Sequence, residues 1–402
     1  MLFGTLPKPS SHPQTLQMLF GTFSREDAEG GRRRRDYVMI GAVLLPKDIG
    51  EECDRDVILR RDMRAAANNV QMNVLVKVPH DGEVNRARYM PQRPNWVATK
   101  SGNPEGQVYL FDMSKHGANP KNDDGGGKHE LLLRGHSKEG YGICWSEKKQ
   151  GMLLSGSYDD RICMWDINME PSETEELGRY LDPVSTRSGH TDAVGDVAWH
   201  PHHRDTFGSV GDDKLLCLWD ARKQGGPAQQ VVASDFGVNS LSYNHINSHL
   251  IATASGSSEG GTVSVWDSRK LSTPQRVFAT HTDVVDQVVW APHSEELLMS
   301  ASRDRLVHII DTSKATRKDR PEDPSEIVFV HAGHTAKVSD ISWHLHNPWL
   351  FASVSDGEQT LHVWHPNAEF IEEDEEEVMS SASSYDSDEL DALLMEQQAA
   401  KQ

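Results

Sequence analysis

Met152-Leu153-Leu154-Ser155-Gly156-Ser157, then Tyr158-Asp159-Asp160, then Arg161-Ile162-Cys163-Met164-Trp165-Asp166: this stretch decides the fold. Apolar and small residues alternate on both sides of a polar turn, the pattern of two short strands joined as a hairpin. Just upstream, Gly135-His136 leads into Tyr141-Gly142-Ile143-Cys144-Trp145, a further short strand.

Working outward, the same text returns. Gly-His pairs stand at Gly135-His136, Gly189-His190 and Gly333-His334, with degenerate versions at His80 and His281. Each precedes an alternating run. The units close on Phe111-Asp112, Trp165-Asp166, Trp219-Asp220, Trp266-Asp267, Ile310-Asp311 and Trp364-His365, at spacings of roughly 44 to 54 residues. A fixed period of this size is the signature of a repeat architecture, and it lies slightly above the period of WD-repeat propellers. Six units are visible. A seventh is expected before His80, with Thr15 to Phe23, Tyr37 to Leu45 and Val70 to Val78 as its strands. The Arg-rich Gly31 to Asp36 reads as a hairpin tip in preference to a nuclear-import signal, and the charged Glu51 to Asn69 as a loop or short helix.

Within the unit ending at Trp165, His136, Ser157, Asp159 and Trp165 resemble the structural tetrad of WD-repeat blades, a hydrogen-bonded chain from indole through hydroxyl and imidazole to a turn carboxylate. Such a chain satisfies polar groups buried between strands. His190, Asp213 and Trp219 repeat most of it, with Gly211 at the expected hydroxyl position. His281, Ser302 and Asp304 repeat it with Ile310 in place of the indole. These histidines read as structural, and no metal or cofactor is expected.

Composition agrees with an all-β body. The 402 residues include 37% hydrophobic and 25% charged residues, 31 Gly and 10 Trp, suited to one large domain rich in turns. No run approaches the roughly 20 apolar residues of a spanning helix, and the first residues lack a secretory-signal pattern. Cys53, Cys144, Cys163 and Cys217 form no close pair, so neither a disulfide framework nor a thiolate zinc site is expected. Cys163 and Cys217, two residues before a Trp, read as buried small hydrophobes. The net charge is −20. From Glu369 to the end twelve acids stand against Lys401 alone, which puts about −11 in the tail. That balance disfavours direct nucleic-acid binding, which needs clustered cations, and favours a basic protein partner.

Three runs are narrower than a generic repeat: His80 to Met90, Gly135 to Trp145 and Gly333 to Asp340. They resemble the retinoblastoma-binding-protein family of histone-binding WD-repeat proteins, the MSI-type chromatin subunits, and the resemblance runs from about residue 70 to Ile371. It implies a seven-bladed WD-repeat β-propeller with an acidic C-terminal tail. The division expected is a flexible segment over 1–16, the propeller over 17–368 and a mostly disordered acidic tail over 369–402.

The function implied is a non-enzymatic nuclear scaffold in chromatin assembly, remodelling, deacetylase or Polycomb complexes, a monomer within larger assemblies. Its partners would be histones of the third and fourth core classes. In such proteins the mouth of the central channel takes the basic tail of histone three. The matching positions are Glu83, Asn85, Glu139, Tyr141, Lys337 and Asp356. Carboxylates there would pair with Arg or Lys through charge-assisted hydrogen bonds. Gly195 departs from the pattern where a channel glutamate is expected, and Val284 and Asp286 where Glu and Phe are.

A second implied site grips the first helix of histone four, with Glu322 and Asp323 in an acidic loop, then Phe329 and Val330, and Ile371 in the closing segment. The long N-terminal helix of that groove is not recognisable. Met1 to Gln17 reads as a Pro-Ser linker, in which Met1-Leu2-Phe3-Gly4-Thr5 matches Met18-Leu19-Phe20-Gly21-Thr22. The acidic tail reads as a solvating segment, or as a screen for basic histone surfaces.

Two other classes compete. One is a propeller adaptor in ribosome assembly or a ubiquitin-ligase receptor. The other is an enzyme, for which the sequence offers little: there is no Gly-rich phosphate loop and no nucleophile elbow. His200-Pro201-His202-His203 and His344-Leu345-His346 read as turns rather than metal sites.

Overall fold

The computed structural model describes residues 15–22, 36–44, 72–118, 129–175, 177–314, 326–357 and 360–366. They form seven sheets, antiparallel but for one parallel pairing, arranged as blades around a channel. Blade one comprises Thr15–Gly21, Asp36–Leu44 and Met72–His80. Blade two comprises Val84–Met90, Arg93–Ser101, Val108–Asp112 and Leu131–Leu133. Blade three comprises Ile143–Trp145, Met152–Gly156, Arg161–Asp166 and Ser185–Ser188. Blade four comprises Val194–Trp199, Thr206–Gly211, Leu215–Asp220 and Gln229–Val232. Blade five comprises Val238–Tyr243, Leu250–Ser257, Gly260–Asp267 and Arg276–His281. Blade six comprises Val285–Trp290, Leu297–Ser302, Val307–Asp311 and Ile327–His331. Blade seven comprises Val338–Trp343, Phe351–Ser355 and Thr360–Trp364.

The expected seventh blade is therefore present, and its first strand starts at Thr15. Thr15 and Leu16 thus belong to the sheet and not to the flexible segment assigned to 1–16. The Arg-rich tip before Asp36, the Glu51 to Asn69 segment and the tail from Glu369 lie outside the described residues. One addition was not foreseen. Gly178–Leu181, in a hairpin with Ser172–Thr174, pairs parallel to Leu131–Leu133 and widens blade two to six strands.

The cores lie between blades. Leu154, Ile162 and Met164 of blade three pack with Val194, Val197, Trp199 and Phe207 of blade four. Blade seven meets blade one through Leu350 against Leu16, Met18 and Val43, closing the ring. Each such large side chain contributes about 1.5–3 kcal/mol of burial, and closure leaves few sheet edges to protect.

The tetrads are present with a different hydroxyl. In blade four, Trp219 Nε1 donates to Ser209 Oγ (2.8 Å), Ser209 meets His190 Nε2 (2.6 Å), and His190 Nδ1 meets Asp213 (2.9 Å). In blade six, His281 bridges Ser300 and Asp304, both at 2.8 Å. The hydroxyl is thus Ser209, not a residue at the Gly211 position, and Ser300, not Ser302. The reason is geometric: Asp at the turn takes Nδ1, so Nε2 points away from the turn, one side-chain period further down the strand. Ser157 and Ser302 instead donate to backbone carbonyls, Ser157 to Lys138 and Glu139, and Ser302 to Asp283 and Val284.

In blade three the chain is rewired. His136 Nδ1 meets Asp159 (3.1 Å), but Trp165 Nε1 donates to the Arg134 carbonyl (3.0 Å). Ser155, the counterpart of Ser209, accepts from Lys100 Nζ of blade two at 2.8 Å. Lys100 is fully buried, and burial pushes its ammonium down to about 7.

Blade one differs in a way that shapes the channel. His80 Nε2 meets Thr99 Oγ1 at 2.8 Å, as His190 meets Ser209 and His281 meets Ser300. Met72–His80 therefore holds the outermost, fourth position, and Asp36–Leu44 and Thr15–Gly21 hold the third and second. The inner strands of blades two, four, five, six and seven each pair with a bulge near their start, whereas Thr15–Gly21 pairs without one. Among the described residues the innermost position of blade one carries no strand. Arg88 of blade two reaches Asp340 of blade seven across that gap, at 3.6 Å.

Candidate functional site: the mouth of the central channel

In blades two, four, five, six and seven the inner strand places its third residue toward the axis. These residues are Arg86, Asp196, Ser240, Gln287 and Asp340, all buried despite being polar. Burying such groups is tolerable only when they are hydrogen-bonded or paired. Arg86 of blade two meets Asp196 of blade four at 3.1 Å across the bore. Asp196 also accepts from Ser240 Oγ and from the Leu241 and Val197 amides. Burial holds the Arg88 guanidinium down to about 10, against the opposing pull of Asp340. The bore is thus bridged by ion pairs.

The six residues matched from sequence to the channel lie near one another: Asn85 bonds Glu139, Lys337 pairs with Asp356, and Glu139, Asp356 and Glu83 all act on Tyr141. Asn85 Nδ2 donates to Glu139 Oε2 and to the Gly140 carbonyl, both at 3.2 Å. Asn85, Tyr141 and Asp356 line one cavity of about 240 Å³ with Thr22, Arg86 and Asp340. Among the described residues that cavity is lined by blades one, two and seven, with Tyr141 at the entry to blade three. Lys337 and Asp356 form an ion pair at 3.0 Å, so one of the six neutralises another. Tyr141 is 41% exposed, and its hydroxyl is pushed up by burial first, then by Glu139, with Asp356 and Glu83 adding to the effect.

The departures have physical consequences. A Cβ on Gly195 would come within 2.8 Å of the Val238 carbonyl of blade five, so no side chain fits there without backbone movement. Asp286 is held in a two-toothed ion pair by Arg303, at 3.0–3.1 Å, and its charge is met inside the chain. Val284 offers its carbonyl to Ser302 and to the Arg303 amide.

Other mouth residues were missed. Tyr158 faces Tyr141, with ring centroids 6.2 Å apart, and is 37% exposed. Phe236 is 48% exposed on the loop entering blade five. Burial, then Asp192 and Asp213, raise the carboxyl of Asp212. Tyr158 sits in the middle of a turn already recognised as a hairpin tip, which was the available signal. The inward polar residue at the third place of five inner strands was another.

The second expected site is only partly in view. Glu322, Asp323 and Ile371 lie outside the described residues. Phe329 stacks on Trp364 of blade seven at 5.5 Å and serves the core, while Val330 is 43% exposed.

Rigid strands carrying a ring of fixed polar side chains define a docking surface of the propeller class. The family model described as "WD domain, G-beta repeat" (WD40) matches residues 127–166, 181–220, 227–267, 272–311 and 325–365, about half of the chain. The chain belongs to the WD40-repeat family. Each match joins the outer strand of one blade to three strands of the next, the same offset that places Met72–His80 outermost in blade one.

Proposed function

We propose that this propeller is a non-enzymatic histone-binding scaffold of nuclear chromatin complexes, and that its channel mouth takes the basic N-terminal tail of histone three. The observation that carries the reading is the convergence of Glu139, Asn85, Tyr141 and Asp356 over a mouth whose bore is closed below by Arg86 and Asp196. A cationic, extended peptide laid across that surface meets carboxylates and two exposed tyrosines. It needs no catalytic group. The three sequence runs that resemble histone-binding propellers, and the −20 net charge, support the same partner.

The test is peptide binding by fluorescence polarisation with the histone-three tail and the first helix of histone four. Glu139→Ala is expected to weaken the tail peptide about tenfold or more, the usual worth of a charge-assisted hydrogen bond, and to leave the helix peptide unaffected. Failure of the unaltered protein to bind either peptide would remove the proposal. Affinity capture of ribosomal or cullin components without histones would favour the adaptor reading instead.

A further inference from the structure

Against the expectation that no histidine here serves a metal, the junction of blades six and seven brings three together. His331 ends the outer strand of blade six, His334 opens blade seven, and His362 lies on the strand Thr360–Trp364. His331 Nε2 and His362 Nδ1 are 3.2 Å apart, and one nitrogen from each of the three lies within 4.8 Å of the others. His334 and His362 stack at 4.0 Å, with His331 nearly perpendicular to both.

Other blades hold their rings differently. Asp159, Asp213 and Asp304 follow their histidines by 23 residues and take Nδ1. Blade six keeps a similar stack, His281 on His308 at 4.0 Å, but there Asp304 holds His281 and no third histidine joins.

We propose that His331, His334 and His362 form a binding site for a divalent transition-metal ion of the zinc type, tying the outer strand of blade six to blade seven. Tetrahedral zinc with nitrogen ligands at about 2.0–2.1 Å sets those nitrogens about 3.3 Å apart. The His331–His362 pair already has that spacing, and binding would turn His334 out of its stack on His362 to bring its nitrogen to the same ion. The rings are held from behind: His331 lies flat on Trp364 at 4.4 Å, and His334 Nε2 is anchored on Ser353 at 2.7 Å. Coordination through His334 Nδ1 places its proton on Nε2, where Ser353 accepts it. Each imidazole stays neutral and keeps one N–H, so no proton is lost. His331 and His362 are only partly buried, which leaves the fourth position open to water. Three imidazoles and a water suit zinc, nickel or copper, and do not suit calcium or magnesium.

The site is tested on the full chain with zinc ions alone, by competition against a metal-sensing dye and by thermal unfolding with and without chelator. The unaltered protein should bind zinc and melt at a higher temperature when loaded. His362→Gln, which touches no tetrad bond, should weaken binding at least tenfold and abolish the thermal shift, while remaining folded by circular dichroism. His331→Gln should do the same. His308→Gln should behave as the unaltered protein. Zinc held equally well by the His362→Gln and His331→Gln proteins would place it on the histidine-rich turns elsewhere and overturn the proposal, as would no binding at all.

Discussion

Blades three and four carry the same residue types at the same spacing, His–Asp–Trp with a serine on the second strand, yet they solve the buried-polar problem differently. Blade four closes a continuous chain through Ser209. Blade three gives Ser155 to Lys100 of the neighbouring blade, and the Trp165 indole turns to the Arg134 carbonyl. His136 Nε2 is then buried without a protein partner. One intruding side chain is enough to divert the network, because a buried ammonium needs acceptors more urgently than a neutral imidazole does.

The largest effect expected from this contrast is at Ser209. Ser209→Ala strands both His190 Nε2 and Trp219 Nε1, and should cost about 2–4 kcal/mol in denaturant unfolding. A loss below about 1 kcal/mol would mean that the closed chain does not stabilise blade four.

Next comes Lys100. Its folded-state pKa of about 7 lies below its unfolded value, so between about pH 7 and 10.5 the unfolded chain holds a proton that the folded one has shed. Stability should therefore rise with pH across that window, by up to about 1.4 kcal/mol per unit. Lys100→Met should flatten this rise and stabilise the protein at neutral pH. A curve unchanged by the substitution breaks the assignment.

On the acid side, burial and then Lys100 depress His136 to about 4. The unfolded chain takes up its proton first as pH falls through about 6.5, and the folded chain only near 4. Stability should decline between those values, again by no more than about 1.4 kcal/mol per unit for this group. His136→Gln should reduce the slope in pH-dependent melting. The smallest effect lies in the turns. Lys214 follows Asp213 with φ of 71°, as Asp160 follows Asp159 at 62°. Lys214→Gly should add about 0.5–1 kcal/mol, readable as a higher melting temperature.

Much of the fold could be read from the chain. Strand alternation, the turn aspartates and the closing Trp-Asp pairs are local patterns, and they located six blades and most strands of blade one. The hydroxyl partner was misplaced by one side-chain period, since Ser300 and Ser302 lie on the same face and composition does not say which meets the ring. The six residues matched to the channel lie near one another. That Asp356 and Asp286 are met by Lys337 and Arg303 depended on side-chain reach between neighbouring turns, which spacing does not encode.

By itself the sequence determined the repeating unit, because a hairpin of period two with its own turn carboxylate is dictated by residues close together in the chain. Only the tertiary structure decided what each unit meets. Lys100 finds Ser155 55 residues away, and Arg86 finds Asp196 110 residues away. His331 faces His362 because ring closure sets one blade against the next. Contacts of that range follow from how blades rotate and pack, which no local pattern carries.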